Sequence, residues 1–332
     1  MTLMKKFLNS PESLLEESLT GFAKAHADII QLNKQPYFIQ RNSPTPAGKV
    51  ALISGGGSGH EPLHIGFVGT GLLDAACPGQ IFTSPTPDQM LAAAQAVDNG
   101  GGVLFIVKNY AGDVMSFEMA AEMLNIPTAT VLVSDDIALP KTHSIGRRGV
   151  AGTLIIEKIV GAAAEQGADL STCQALGNKV NNVTASLGVA LHSCTVPALG
   201  KPTFELTDTE MEMGVGIHGE RGHDTLPLTS ATEIVEQIAR KIDEELKPQA
   251  GQNVLLHING LGSTPLIELY LIYDLAAQFW EKRGVNITRS LVGNYTTSLD
   301  MAGCSITLTL LDEQLTALWD APVHTAHLRW GC

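Results

Sequence analysis

VALISGGGSGHEP, residues 50–62, is the stretch that decides how this chain is expected to fold. An apolar, β-prone run over residues 50–54 passes directly into a glycine-rich loop that carries His60. Proteins of the α/β class place binding sites in this way, at the carboxyl end of a strand. Glycine permits positive φ and close approach to the backbone, so such a loop can present bare N–H groups to a small molecule.

The loop does not fit the two common nucleotide-binding patterns. A P-loop needs Lys-Ser or Lys-Thr after its last glycine, whereas His60-Glu61-Pro62 follows here. The glycine spacing is also out of register for the dinucleotide fingerprint, and Pro62 hinders a helix from starting at once. On these residues alone, a tight strand-to-helix turn with a structural histidine is as good an interpretation as a binding site.

Composition narrows the class of protein. A chain of 332 residues with 44% hydrophobic and 17% charged residues predicts a well-packed globular protein of one large or two smaller domains. Its formal charge of −13 argues against nucleic acid or an anionic membrane surface as a partner. The five cysteines lack CxxC spacing, so neither a disulfide framework nor a zinc site is indicated. We find no signal peptide and no apolar run of the ~18–20 residues that span a membrane, and therefore expect a cytoplasmic protein.

Strand, polar loop and helix alternate after the glycine loop. The predicted strands lie over 103–108 and 128–133, and the predicted helices over 87–98, 114–124, 150–165 and 169–184. This spacing is typical of βαβ units and predicts a mostly parallel sheet flanked by helices. The adjacent Arg147-Arg148 is interpreted as the solvated start of a helix.

A change of pattern near residue 186 predicts a second domain. Beyond it, strands are expected over 187–191, 211–217, 254–258, 285–293 and 304–311, with helices over 229–247 and 266–283. The fold class is therefore α/β, with two α/β domains. The first, 1–186, carries the glycine-rich loop, and the second is 187–332.

Three loops that follow predicted strands carry ionisable groups, namely His60, Asp113 and His218. Strand ends of an open α/β sheet meet at one edge, where ligands bind. A carboxylate can act as a general base, and an imidazole as base, acid or nucleophile. Each residue also has a structural alternative, as a helix N-cap for Asp113 and as part of its own loop for each histidine. The residues alone predict a small-molecule site with two histidines and one aspartate.

Longer motifs together resemble the substrate-binding subunit of dihydroxyacetone kinase. They are GGGSGHEP (55–62), CPG (77–79), FTSPT (82–86), KNYAGD (108–113), GRRG (146–149), GVGIHGE (214–220), NGLG (259–262), SLDM (298–301) and WDAP (319–322). These motifs span nearly the whole chain in collinear order, and motifs of this length are specific.

The resemblance implies two α/β domains in a homodimer and a covalent substrate site. His218 would attack the C2 carbonyl of dihydroxyacetone and hold the ketone as a hemiaminal, while His60 would hydrogen-bond the substrate and assist the addition. Asp113 would be the base that deprotonates the hydroxyl that receives the phosphoryl group. The remaining substrate-binding residues would be Gly57, Ser58 and Lys108. Such chemistry suits the residue types, because a neutral imidazole is a nucleophile near pH 7 and a carbonyl trap rejects glycerol.

The resemblance also implies partner proteins. The sequence ends at Cys332, soon after the WDAP motif. Single-chain ATP-dependent kinases of this family continue into a helical nucleotide-binding domain, so we expect the separate subunit of the phosphotransferase-linked system. No cofactor or metal is expected on this chain. ADP or ATP with magnesium is expected on a second, all-helical subunit, which a third protein of the sugar phosphotransferase relay recharges; a transcription regulator is a further possible partner.

Two alternatives stay open. One is a coactivator that senses dihydroxyacetone without turnover, and the other is a kinase subunit for a longer hydroxyketone such as erythrulose. Retention of Asp113 and His60 favours the kinase, since binding alone does not need a base. His64, His223 and His257 receive no functional role and are interpreted as structural or surface histidines.

Overall fold

A computed structural model describes residues 5–332 of the chain. In the first part, the elements in chain order are α1 (Leu14–Ala25), β1 (Ile30–Lys34), β2 (Tyr37–Arg41), β3 (Ala51–Ser58), a 3₁₀ turn (Ile65–Phe67), β4 (Gly69–Thr70), β5 (Ala75–Ile81), α2 (Pro87–Val97), β6 (Val103–Lys108), α3 (Ala111–Met123), β7 (Thr128–Val133), α4 (Gly152–Glu165) and α5 (Leu170–Asn182). The second part contains β8 (Thr184–His192), β9 (Glu210–Met213), β10 (Asp224–Pro227), α6 (Ala231–Leu246), β11 (Asn253–Gly260), α7 (Leu266–Glu281), β12 (Asn286–Gly293), β13 (Ala302–Leu311), α8 (Glu313–Asp320), β14 (Val323–Thr325) and β15 (Arg329–Trp330).

The first sheet has the strand order β1-β2-β5-β3-β6-β7. Its strands β5, β3, β6 and β7 are parallel, whereas β1 and β2 are antiparallel at one edge. Alternate residues of β3 face different layers, since Leu52 packs with α4 and α5 whereas Ile53 packs with α2 and α3. A strand covered on both faces reads as a continuous apolar run, and this explains the run before the glycines. The predicted α/β fold with a mostly parallel first sheet is confirmed.

The second sheet has the order β10-β9-β8-β13-β11-β12 and is antiparallel except for the β11–β12 pair. Helices α6 and α7 cover one face, where Ile238 and Ile242 of α6 and Trp280 of α7 are buried. Leu255 and Leu311 point to the other face and join the core that α4 and α5 form. The two sheets are therefore packed through a shared apolar layer.

The C-terminal segment returns to the first sheet's side of the molecule. In α8, Leu318 and Trp319 are buried in the same core as α4, and β14 pairs with β4. The division at residue 186 stays a prediction; β8 is the first strand of the second sheet. No helix within residues 5–332 is long and apolar enough to cross a membrane.

Three expected element ends are wrong, and each bears on the site. Strand β3 continues to Ser58, so Gly55–Gly57 belong to the strand and pair with β5. Helix α3 begins at Ala111 rather than 114, which places Asp113 in its first turn. Strand β9 ends at Met213 rather than 217, because Gly214 turns the chain with φ +80°. His218 therefore lies in a turn rather than directly after a strand.

Candidate active site

Two histidines from distant parts of the chain meet in the structure. His60 follows β3, and His218 lies in the turn between β9 and β10. Their ring centroids are 4.6 Å apart in an edge-to-face arrangement. Phe82 stacks on His60 with ring centroids 5.1 Å apart, and the ring centroid of Tyr110 is 4.3 Å from that of His218. Aromatic rings thus border both imidazoles, which we call the histidine pair.

The hydrogen bonds of His60 define its tautomer. Its Nδ1 lies 2.8 Å from the carbonyl oxygen of Thr297, which can only accept, so Nδ1 carries the proton. The backbone N–H of Thr297 donates in return to the His60 carbonyl at 3.2 Å. His60 Nε2 therefore keeps its lone pair, and this buried atom has no hydrogen-bond partner in the described part of the chain. Burial, with the charge of Lys108, lowers the pKa of His60 to about 3, so the ring is neutral at pH 7.

His218 is also held as a neutral imidazole. Burial, with the neighbouring His60, Lys108 and Arg148, lowers the pKa of His218 well below its usual value. The ring keeps partial solvent exposure, but Nδ1 is buried and has no partner among residues 5–332. Glu220 Oε2 accepts a hydrogen bond of 2.7 Å from the backbone N–H of His218 and so fixes the turn. A neutral imidazole with an unengaged nitrogen can act as a nucleophile.

Arg148 organises the turn that carries His218. Its Nε donates to Asp136 at 2.7 Å, its Nη2 to the Gly214 carbonyl at 2.8 Å, and its Nη1 to Glu220 at 3.4 Å. The side chain is buried, so the interpretation of Arg147-Arg148 as a solvated helix start is wrong for Arg148. The guanidinium can be buried because three acceptors surround it. Two of them, on Gly214 and Glu220, are far from Arg148 in sequence, so the residues next to Arg148 do not indicate its burial.

Lys108 and Asp113 form the second part of the site. Lys108 is the last residue of β6 and is fully buried, and its Nζ lies 3.4 Å from Oδ2 of Asp113. Asp113 is buried in the first turn of α3, where the helix dipole favours a carboxylate. The ammonium also donates to the Gly55 carbonyl at 3.3 Å. A Cβ on Gly56 would overlap Nζ, so a glycine at this position admits the lysine rather than a phosphate.

Gly57 and Ser58 are the last two residues of β3, shortly before His60. The Ser58 hydroxyl donates to the Gly79 carbonyl at 2.8 Å and is therefore already engaged within the protein. A Cβ on Gly57 would come within 3 Å of the Phe82 and Thr83 backbone. Phe82 itself has φ +54°, a region that bulky residues rarely adopt, and this conformation accompanies its position over His60.

His64 lies against Lys108, which its sequence neighbourhood does not indicate. His64 Nε2 is 3.1 Å from Lys108 Nζ, and its Nδ1 is 2.6 Å from Oε1 of Glu157 on α4. We call Lys108, Asp113, His64 and Glu157 the lysine cluster. Of the other two histidines without an assigned role, His223 is exposed and His257 is buried with Nδ1 on the Leu291 carbonyl. Across residues 5–332, no three His, Cys, Asp or Glu side chains are grouped as a metal site.

Comparison with known proteins assigns the family. The sequence pattern of the Dak1 domain matches residues 20–327, which include both the histidine pair and the lysine cluster. This chain belongs to the Dak1 domain family. The resemblance to dihydroxyacetone kinase subunits is confirmed by relatives that match over nearly the full length.

Three Dak1 relatives show the range of proteins that share this chain's sequence and fold. The Escherichia coli PEP-dependent dihydroxyacetone kinase, dihydroxyacetone-binding subunit DhaK, is 47% identical over 99% of this chain and 100% of its own length. The L-erythrulose 1-kinase of Mycolicibacterium smegmatis is 40% identical over 99% of this chain but only 58% of its own length. The structure of the dihydroxyacetone kinase operon co-activator Dha-DhaQ superposes with a TM-score of 0.89 at 33% identity, covering 94% of this chain and 97% of that one.

Proposed function

We propose that this Dak1 protein is the dihydroxyacetone-binding subunit of a dihydroxyacetone kinase and transfers no phosphoryl group without a partner subunit. The observation that carries the proposal is the histidine pair beside the lysine cluster. Two neutral imidazoles, the buried His60 and the half-buried His218, each have a buried ring nitrogen without a partner in the described residues, next to a carboxylate held by an ammonium. The 47% identity to a dihydroxyacetone-binding subunit, over 99% of this chain and 100% of that protein, supports the same function.

The capture step uses His218 as the nucleophile. The lone pair of one ring nitrogen forms a bond to C2 of dihydroxyacetone, and the carbonyl π bond breaks onto oxygen. The proton on the other ring nitrogen leaves and the oxygen gains one, so that the product is a neutral hemiaminal. A polyol without a carbonyl cannot undergo this step, which gives selectivity against glycerol.

His60 assists the addition through Nε2. Since Nδ1–H is bound to the Thr297 carbonyl, Nε2 is the nitrogen that can accept a proton and pass it to the former carbonyl oxygen. The low pKa of His60 keeps this lone pair free at neutral pH. Burial therefore keeps the resting ring unprotonated, so that Nε2 is free to relay the proton during the addition.

Asp113 is the base for phosphoryl transfer. Its carboxylate would accept the proton of the terminal hydroxyl as that oxygen bonds to the transferred phosphorus and the bond from phosphorus to the donor's leaving oxygen breaks. Lys108 holds the carboxylate, and Gly57 and Ser58 at the end of β3 would contact the bound ketone as substrate-binding residues. The phosphoryl donor, ADP or ATP with magnesium, is bound by a separate all-helical subunit that a third protein of the phosphotransferase relay recharges.

The remaining parts of the proposal concern assembly and location. The protein acts in the cytoplasm as a homodimer, and contact with a transcription regulator is a further part of the proposal. We propose no nucleic acid or membrane as a partner, because the net charge of −13 disfavours binding to these anionic surfaces.

A coactivator that binds dihydroxyacetone without turnover is the second candidate. The TM-score of 0.89 to Dha-DhaQ makes it a candidate, since the fold alone does not separate the two functions. The buried Lys108–Asp113 pair favours the kinase, because a sensor needs a ketone trap but no base for a terminal hydroxyl.

The test is intact-protein mass spectrometry after incubation with dihydroxyacetone, followed by a phosphorylation assay. The assay is run with and without a helical nucleotide-binding subunit and its phosphoryl donor, and L-erythrulose is offered in parallel. We expect an adduct of one triose and turnover that requires the partner. An adduct without turnover under any condition would favour the coactivator. Preferred turnover of L-erythrulose would reassign the substrate, and no ketone adduct by mass or in a soaked crystal would contradict the proposal.

A further inference from the structure

A chain of buried polar groups extends from Asp113 away from the histidine pair. Lys108 Nζ contacts His64 Nε2 at 3.1 Å, and His64 Nδ1 contacts Glu157 Oε1 at 2.6 Å. Ser54 Oγ also lies 2.9 Å from His64 Nδ1 and donates its own proton to the Ile106 carbonyl at 2.6 Å. Lys108 and Glu157 are fully buried, and His64 is 4% exposed. Neither His64 nor Glu157 has a role in the function proposed above.

The donors and acceptors of this chain determine where each proton lies. An ammonium donates three hydrogen bonds and accepts none. Lys108 has three acceptors within 3.4 Å, which are the Gly55 carbonyl, Oδ2 of Asp113 and Nε2 of His64. His64 Nε2 must therefore be unprotonated, so the proton of the neutral ring is on Nδ1. That Nδ1–H donates to Glu157 Oε1, which accepts in either protonation state of the carboxyl group.

We propose that His64 and Glu157 are positioning residues for phosphoryl transfer. Glu157 orients the His64 ring through Nδ1, and His64 Nε2 holds the Lys108 ammonium against the Asp113 carboxylate. The inference rests on the proposed role of Asp113 as base, and extends it to two residues that do not reach the substrate.

A purely structural use explains this arrangement poorly. Buried ionisable groups are costly, and apolar side chains of similar volume would fill the same space at least as stably. Burial raises the pKa of Glu157 to about 8, against the opposing effects of Ser54 and Lys108, and its Oε2 has no partner within the described residues. Burial, with the charge of Lys108, lowers the pKa of His64 well below its usual value, which keeps Nε2 available as an acceptor. Such a cost is tolerated where a side chain must be held in one position for chemistry.

Two substitutions of His64 separate positioning from support of the core. In His64→Gln, the amide oxygen can replace Nε2 as the acceptor for Lys108, but the donor to Glu157 is lost. In His64→Asn, the amide nitrogen can replace Nδ1 as the donor to Glu157, but the acceptor for Lys108 is lost. If His64 positions Lys108, turnover should fall more in His64→Asn than in His64→Gln. If His64 serves only as a hydrogen-bond donor to Glu157, turnover should fall more in His64→Gln.

Both variants are assayed as full-length protein with the helical nucleotide-binding subunit, its phosphoryl donor and dihydroxyacetone. We expect kcat of His64→Asn to fall about tenfold to 100-fold, as a misplaced catalytic group does, with KM and the triose adduct unchanged. His64→Gln should retain at least about fivefold more kcat than His64→Asn, since its acceptor is preserved. Glu157→Gln keeps an acceptor oxygen for His64 Nδ1–H, so its kcat should likewise be higher than that of Glu157→Leu. Melting temperatures show whether each variant is folded.

The reverse order of the two His64 variants, or equal kcat in both, would overturn the inference. Asp113→Asn and His218→Ala are measured in the same assay. If Asp113→Asn keeps parental turnover, the base assignment fails and the inference fails with it. If Asp113→Asn loses turnover while His64→Asn keeps it, the inference alone is wrong.

Discussion

The histidine pair, in which His218 is only half-buried, and the buried lysine cluster differ in how they use hydrogen bonds. In the histidine pair, His60 Nε2 and His218 Nδ1 have no partner within the residues the structure describes. In the lysine cluster, all three protons of Lys108 have an acceptor. A buried polar atom without a partner costs about 1–3 kcal/mol. Unengaged ring nitrogens are thus found where a bond to substrate is proposed, and a saturated ammonium where a base is held. Within the lysine cluster, Glu157 Oε2 alone of the buried polar side-chain atoms lacks a partner among residues 5–332.

The largest effect is expected on the histidine pair. His218→Ala removes the nucleophile, so the mass increase of one triose should disappear altogether. Intact-protein mass spectrometry of parent and variant measures it. His223→Ala is the control, because that histidine is exposed and lies outside the pair. An adduct that survives in His218→Ala would show that another group captures the ketone.

Substitution of Asp113 in the lysine cluster is expected to cause a similarly large loss, but of turnover only and not of ketone capture. Asp113→Asn keeps the size of the side chain but removes the base, so phosphorylation with the partner subunit should fall about 100-fold or more while the adduct remains. Glu118→Gln, an exposed carboxylate on the same helix, should behave as the parent protein. Loss of the adduct in Asp113→Asn would mean that the two parts of the site are not separable.

A smaller effect, on the affinity for dihydroxyacetone, is expected for Arg148, which holds the turn that carries His218. Arg148→Met removes the donors to Asp136, Gly214 and Glu220, and the turn that carries His218 loses its fixed position. Hydrogen bonds to charged groups contribute about 1.5–3 kcal/mol, so dihydroxyacetone should bind about tenfold or more weakly. Titration of the adduct by mass spectrometry measures the change. Arg147→Met, whose guanidinium pairs with Glu245 instead, should bind dihydroxyacetone like the parent, and equal weakening in both would contradict the role of Arg148.

The smallest effect concerns pH. An ordinary histidine with a pKa of about 6.5 would be mostly protonated at pH 5.5 and would lose nucleophilicity. The pKa of His60 is lowered to about 3 and that of His218 well below 6.5, so both rings stay neutral as the pH falls through that range. Capture of dihydroxyacetone should therefore change less than about twofold between pH 8 and about pH 5.5. A tenfold drop over this interval would show that at least one ring titrates normally.

Much of the first sheet could be predicted because its signal is local. Strands β6 and β7 lie at 103–108 and 128–133, as their continuous apolar runs indicate. Strand β5 has no such signal, because its sequence AACPGQI contains a proline and a glycine that weaken a strand pattern. The glycines of β3 indicate a loop by composition, yet they pair with β5 as a strand. Gly55 and Gly56 have no room for a Cβ, because β5 and Lys108 approach the backbone too closely.

The residues proposed for the site could be selected from sequence motifs, whereas the burial of side chains whose partners are distant in sequence could not be predicted. Motifs that can be recognised from the sequence alone contain His60, Lys108, Asp113 and His218. Arg148 and His64 owe their environment to partners such as Glu220 and Glu157, far away in sequence. Whether a charged or polar side chain is a surface group or a buried one depends on such partners, and no local pattern records them.

The most direct test of covalent capture is ¹³C NMR of the protein with dihydroxyacetone labelled at C2. The account predicts that the bound C2 resonance lies in the region of tetrahedral carbon in the parent protein and not in His218→Ala, while Asp113→Asn behaves like the parent. A bound C2 resonance that stays in the carbonyl region of the parent protein would show that the ketone is held without a bond to His218, and would contradict the account.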